Sequence, residues 1–373
     1  MDCLCCADGG RGPDSDSEFL GSICNLRATP DGTPAKFPVE SDRYVLFLIA
    51  GCPFAARPWT VASFYGLCCR TDDGTDANKK NDKKAKGDIV RICKCFPAAH
   101  DDGWFLKPVS EGERELVRAF PTARIDANPS GFEGVTHVRE LYERAKPGFA
   151  GAISVPLLWD VLQGTAVSND SLGLAEMIAT QMRGKATRNA DHLLFPDRHA
   201  DPTAYQEHRD MVKRIHAQVT TPVYKMNATT DGIEHDKLVD EYYSTLDELE
   251  ERLDPNDGTP FLMGDEIRFV DMVLFISLVR LDLAYQWRFG LGKKSVREDY
   301  PNLWNYQQRI YQIPGIAETV LPRDIMALYF LTPKWVKACS GRMSLPQVPV
   351  SWEKGCVNGV NNNSDGVGNG CKS

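Results

Sequence analysis

Cys52 is the residue of this chain best placed to act as a nucleophile, because the segment YVLFLIAGCPFAAR at 44–57 sets it where a strand hands over to a helix. Val45 to Ile49 form the unbroken apolar run expected of a strand covered on both faces, and Pro53 suits the first position of a helix. Cys52 is then the N-cap. The unpaired N–H groups of the first helical turn and the positive end of the helix dipole favour a thiolate there, which brings a thiol pKa from about 8.5 into a range of about 3.5 to 7.5. A thiolate at neutral pH attacks sulfur and carbon electrophiles. The alternative is a small buried cysteine that only fills space.

The remaining cysteines read as reduced thiols. The chain has 12 in 373 residues, grouped at Cys3, Cys5, Cys6, Cys24, Cys68, Cys69, Cys93 and Cys95 and in the last tail, with no spacing that repeats as a disulfide framework. CKC at 93–95 and the CC pairs lack the second spaced pair and the histidines of a zinc site, so no metal is expected. A net charge of −8 argues against nucleic acid as a partner, and the basic run NKKNDKKAK reads as a solvated loop. The 42% hydrophobic and 25% charged content is that of an ordinary globular protein, and the length suggests two domains. No segment reaches the length of a membrane span and the first residues lack a signal peptide's apolar core, so a cytoplasmic enzyme or binding protein is expected. Cys3, Cys5 and Cys6 in the start MDCLCC leave reversible palmitoylation open, whereas Met-Asp excludes N-myristoylation.

Around Cys52 the chain reads as an α/β domain followed by helices alone. Residues 1–37, rich in Gly, Pro, Asp and Ser, form an irregular arm, and an ordered α/β domain spans 38–187. Within it a polar insertion at 71–87 separates the first helix from a second strand at Ile89–Cys95, and Gly134–Ala145 is helical. A third strand at Ile153–Trp159 contains Pro156, which an interior strand rarely tolerates, so a cis Val155–Pro156 bond is expected. Val167 is a short last strand, and SNDS at 168–171 caps a helix beginning near Leu172. An all-helical domain follows over 188–335. There Leu238, Tyr242, Leu246, Leu249 and Leu253 mark one apolar helix face, Asp271–Tyr285 is apolar nearly all round, and Tyr306–Tyr311 and Ile325–Tyr329 flank a break at Pro314-Gly315. Residues 336–373 read as a flexible tail.

This layout resembles that of the glutathione transferases, a thioredoxin-like domain followed by an all-α domain. RYVLFLIAGCPFAAR, the GWF segment at 103–105, VRELY at 138–142, ISVPLLWD at 153–160 and SNDS are similar to the glutathionyl-hydroquinone reductases, the Xi class of that superfamily. So are PVYK at 222–225, LVRLDLAY at 278–285, DYPNLWNY at 299–306 and IYQIPGIAETV at 310–320, in the same order, over about 40–333.

The resemblance implies that glutathione is co-substrate and that Cys52 attacks the sulfur of a glutathionyl-hydroquinone, expels the hydroquinone and is freed from its mixed disulfide by a second glutathione. It assigns the backbone of Val155 to the cysteinyl portion of glutathione, and Asp170 and Ser171 to its γ-glutamyl end. Trp104 and Arg139 would complete the cradle. Tyr224 and Tyr285 would donate hydrogen bonds to the quinol, with Tyr311 as a substitute. It also implies a homodimer. Simple alternatives stand beside these roles: packing for Trp104 and the tyrosines, a surface ion pair for Arg139, a helix cap for Asp170 and Ser171. The chain departs from the class at Phe54 and Ala56, where Trp and His are usual, at Asp170 in place of Glu, and at Ala152 in place of Arg. Pro58 inside the first helix and Arg268 at a cap position are further departures. Two other functions fit the same residues: an omega-like thioltransferase or dehydroascorbate reductase, and a binding module without catalysis.

Overall fold

A computed structural model of the chain describes residues 37–68, 88–99, 103–120, 125–126, 128–129, 131–256 and 258–332. The expected arm apart from Phe37, the thiols Cys3, Cys5, Cys6 and Cys69, the insertion at 71–87 and the tail at 336–373 lie outside these residues.

The first half is a four-stranded sheet of order β2-β1-β3-β4, made of β1 (Tyr44–Leu48), β2 (Val90–Lys94), β3 (Leu157–Asp160) and β4 (Thr165–Ser168). β1 runs parallel to β2, the pairing that a helical crossover allows, and antiparallel to β3. Neighbours on both edges explain why every residue of β1 is buried. α1 (Pro53–Phe64) follows β1 and passes through Pro58 without a break. α2 (Glu111–Ala119) is absent from the sequence reading, although Ser110 and Glu113 carry its signal: each side chain accepts the other's backbone N–H, at 3.2 and 2.9 Å. α3 (Val138–Ala145) begins later than expected because residues 133–134 turn first and His137 takes the N-cap position. His137 also meets the buried Glu113 carboxylate at 2.6 Å, which ties α3 to α2. The third strand likewise starts late, after a cis Val155–Pro156 bond.

α4 (Ser171–Met177) packs on α1. Helices then take over: α5 (Pro202–Ile215), α6 (Pro222–Ala228), α7 (Gly232–Arg252), α8 (Phe269–Arg280), α9 (Gln286–Arg288), α10 (Val296–Asp299), α11 (Pro301–Tyr311) and α12 (Pro322–Leu331). α8 is the central helix and is buried all round, as its composition requires. Its start answers the question posed by Arg268. The Asp271 carboxylate reaches back to the Arg268 N–H at 2.7 Å and also receives Leu262 N–H and Tyr306 O–H, each at 2.8 Å. Burial still pushes Asp271 up to about 6, because three neutral donors only partly replace water around the charge.

The halves are stitched along α1. Thr60 and Thr319 share a hydrogen bond of 3.0 Å, and Gly315, at φ +96°, lies so close to Ser63 that a Cβ would stand 2.4 Å from its carbonyl oxygen. A side chain at 315 would therefore force α1 and the helical half apart.

Candidate active site

Cys52 takes the N-cap position of α1 with extended backbone, and its side chain makes no capping bond. The turn before Cys52 is gripped by the helical half. Arg280 at the end of α8 donates to the carbonyls of Gly51 and Ala50 at 2.9 and 3.2 Å, and a Cβ on Gly51 would come within 2.7 Å of the Asp324 carbonyl and Leu328 on α12. Thiol exchange needs an accessible sulfur, yet Cys52 is 0% exposed. The packing of the turn against α8 and α12 explains how its surroundings come to be closed.

The residues assigned to glutathione fall into two groups. Val155 precedes the cis proline at the end of β3 nearest Cys52's turn, and its backbone N–H and C=O make no hydrogen bond among the described residues. Asp170 is exposed and caps α4 by accepting from Leu172 N–H at 3.0 Å, so its capping role is present. Ser171 is buried and its Oγ accepts from Arg57 Nη1 at 3.1 Å. Trp104 is 1% exposed, which fits packing, but its indole N–H has no partner among the described residues. A buried donor left unpaired is costly, and a ligand acceptor would relieve it. Arg139 is exposed and makes no ion pair among the described residues, contrary to the simple surface reading. It lines a cavity of about 460 Å³ with Tyr142, Phe149 and Ile153, a lining that does not include Cys52.

The tyrosines do converge, with one addition. Tyr224 and Tyr285 both meet Tyr329 of α12, hydroxyl to hydroxyl, at 3.0 and 3.3 Å. Phe289 packs against all three rings, and Phe54 lies 5.9 Å from Tyr224, which brings the cluster beside the start of α1. Tyr329 was readable only as a helix residue. Tyr311, the substitute considered from sequence, is half-buried on α11 and is not in this cluster.

Arg57 and His216 also escaped the sequence reading. Arg57 donates from Nη2 to His216 Nδ1 at 3.0 Å, and its guanidinium lies 4.9 Å over the Phe54 ring. The aromatic at 54 thus supports a cation, a use that its apolar type does not advertise. His216 opens a π-helical turn, His216–Thr220, and Tyr285 closes another, Leu281–Tyr285. Such turns rotate side chains off the regular helical face, so periodicity could not place either residue.

Cys93 and Cys95, on and just after β2, are buried thiols of a different kind. Burial pushes Cys93 up to about 12 and also pushes Cys95 well up, with Asp126 adding to both. Among the described residues no cluster of metal ligands occurs, and no helix is long and apolar enough to cross a membrane.

Residues 228–309 match the family described as glutathione S-transferase, C-terminal domain. Over 334 residues the chain is 27% identical to glutathionyl-hydroquinone reductase YqjG of Escherichia coli, covering 88% of this chain and 87% of that protein. Over 325 residues it is 24% identical to glutathionyl-hydroquinone reductase PcpF of Sphingobium chlorophenolicum, covering 87% and 86%. The glutathione-bound structure of YqjG aligns with a TM-score of 0.65 at 25% identity, over 86% of this chain and 91% of that one. The fold is that of the glutathione transferases, a thioredoxin-like domain followed by an all-helical one. In sequence the chain resembles the glutathionyl-hydroquinone reductases, and in fold the Xi-class glutathione transferases.

Proposed function

We propose that the protein is a glutathione-dependent reductase of glutathionyl-hydroquinones. The observation that carries this reading is the phenol cluster Tyr224, Tyr329 and Tyr285 beside the end of α1 that bears Cys52. The Cys52 thiolate attacks the glutathionyl sulfur. As the S–S bond forms, the aryl C–S bond breaks, and its electron pair goes to the ring carbon, which takes a proton and leaves as hydroquinone. A second glutathione thiolate then attacks the mixed disulfide, releases oxidised glutathione and restores Cys52. The phenols hydrogen-bond the quinol oxygens while charge builds on the ring. Asp170, Ser171, Trp104, Arg139 and the Val155 backbone hold the two glutathione moieties, as the resemblance implies. Since Cys52 is wholly buried, turnover includes a parting of the packed groups around its turn.

The deciding measurement is steady-state reduction of a glutathionyl-menadiol-type thioether with glutathione as co-substrate. Turnover confined to small mixed disulfides would favour an omega-like thioltransferase. Failure to bind glutathione at all would favour a binding module.

A further inference from the structure

Arg57 joins the two halves of the molecule through Ser171. It is 1% exposed, its Nη1 donates to the Ser171 hydroxyl at 3.1 Å, and its Nη2 donates to His216 Nδ1 at 3.0 Å. A guanidinium can only donate. His216 Nδ1 therefore accepts, which leaves the imidazole neutral with its proton on Nε2, facing Thr221 Oγ1 at 3.4 Å. Burial, and after it the charge of Arg57, push His216 down to about 3, in keeping with that tautomer. The Phe54 ring lies against both, 4.9 Å from the guanidinium and 6.0 Å from the imidazole. The arginine is thus held in one orientation.

The same logic fixes the serine. Ser171 Oγ accepts from Arg57, so its own proton is left to be given elsewhere and makes no hydrogen bond among the described residues. A hydroxyl that accepts from a cation is also the stronger donor, because successive hydrogen bonds polarise one another. Arg57 Nε is a second buried donor without a partner. Both call for an acceptor, and the buried guanidinium favours an anionic one. The neighbouring Asp170 carboxylate does not fill that place: it is exposed, takes Leu172 N–H at 3.0 Å and makes no hydrogen bond to either side chain among the described residues. We propose that Arg57 is a positioning residue for the α-carboxylate of glutathione: it makes the Ser171 hydroxyl a donor to that group, and His216 of the helical half keeps Arg57 in register. The proposal rests on the reading of Ser171 as a binder of the γ-glutamyl end. It makes the grip of the sheet half on glutathione depend on an imidazole from the helical one.

Calorimetry on the full chain with two peptides tests this without any turnover. One is glutathione. The other, γ-aminobutyryl-Cys-Gly, keeps the amine and lacks only the α-carboxylate. Arg57→Met should weaken glutathione binding by about tenfold or more and leave the analogue within about threefold of the parent, so that the parent's preference for the carboxylate is largely lost. Parent-like glutathione binding by Arg57→Met overturns the proposal. So does an equal loss on both peptides, which would make Arg57 a packing residue alone. If Arg57→Met does not fold, His216 gives the answer: His216→Leu should erode the preference, and His216→Gln, which keeps an acceptor for Nη2, should retain it. A full preference in His216→Leu, or the same loss in both variants, overturns the proposal. A parent that does not distinguish the two peptides overturns the assignment of Ser171 and this role with it. The thioether assay reports separately on the proposed reaction, so either reading can fail alone.

Discussion

Cys52 and the pair Cys93 and Cys95 are equally buried and lie within one small sheet domain, yet their surroundings oppose each other in sign. Cys93 stands opposite Phe47 in the β1–β2 ladder, and the Cys95 N–H donates to Leu48 at 2.8 Å. Asp126 faces both thiols, and the nearby Lys94 is already engaged with that carboxylate at 3.5 Å. Burial outweighs the nearby cations and backbone hydrogen bonds there and keeps the thiols protonated. Cys52 stands instead at the N-terminus of α1. Removal from water is common to all three, so burial by itself says nothing about which sulfur reacts. The sign of the charge facing each one decides.

Replacement of these thiols one at a time should expose the contrast most sharply. Cys52→Ser is expected to lower thioether reduction by at least about a thousandfold, because a serine hydroxyl is too weakly acidic to replace the thiolate. Cys93→Ser and Cys95→Ser should stay within about threefold of the parent in turnover while losing roughly 1 to 3 kcal/mol of stability from a buried hydroxyl. Mass spectrometry after exposure to oxidised glutathione should find the adduct on Cys52. An adduct mainly on Cys93 would break the comparison.

The second test concerns what the Cys52 side has and the Cys93 side lacks, a phenol cluster. Tyr329→Phe removes the hydroxyl that joins Tyr224 and Tyr285. It should reduce turnover of glutathionyl-hydroquinones by about ten- to a hundredfold, or roughly 1.4 to 2.7 kcal/mol of transition-state stabilisation, as should Tyr224→Phe and Tyr285→Phe. A small glutathione mixed disulfide places no quinol in the cluster, so its reduction should hardly change. Equal losses on both substrates would assign these residues to packing.

How far the sequence revealed this arrangement follows from which interactions are local. The apolar run of β1, Pro53 after Cys52 and the 3.6-residue period of α7 are contiguous signals, and the elements formed where they stand. The cis Val155–Pro156 bond was legible because proline in a strand has few other outcomes. Boundaries failed where a cap competed with periodicity, as at His137, or where a capping box was passed over, as at Ser110 and Glu113. Within the site, Arg57, His216 and Tyr329 went unread. Their partners are 105 to 159 residues away for His216 and Tyr224, and π-turns shift His216 and Tyr285 off any regular face. Long-range pairing of that kind leaves no trace in spacing.

At the glutathione end the expected effect is smaller, because Asp170 is exposed and already spends one oxygen on Leu172 N–H. Asp170→Ala should raise the Michaelis constant for glutathione by about tenfold and cost about 1 kcal/mol as a lost cap. Asp170→Asn separates the two, since it keeps the cap and loses the charge. A parent-like Michaelis constant for Asp170→Asn would leave Asp170 as a cap alone.

The smallest effect transfers the Cys93 side of the comparison to a carboxylic acid. Asp282, in the π-turn that also carries Tyr285, accepts Val296 N–H at 2.8 Å and Arg297 N–H at 3.3 Å, yet burial pushes it up to about 6. Its folded pKa thus lies above the unfolded value of about 3.9. Between those values the folded chain holds a proton that the unfolded chain has lost, so stability falls as pH rises through about 4 to 6 and stays lower above. Asparagine keeps an oxygen for the shorter Val296 bond, gives up only the longer one from Arg297, and never ionises. Asp282→Asn should therefore stabilise the protein at neutral pH by about 1 kcal/mol, and the gain should vanish as pH falls towards about 4, read as converging melting temperatures. A gain that grows on acidification would mean that the two N–H donors outweigh burial, and that this acid belongs with Cys52 as a group its surroundings hold charged.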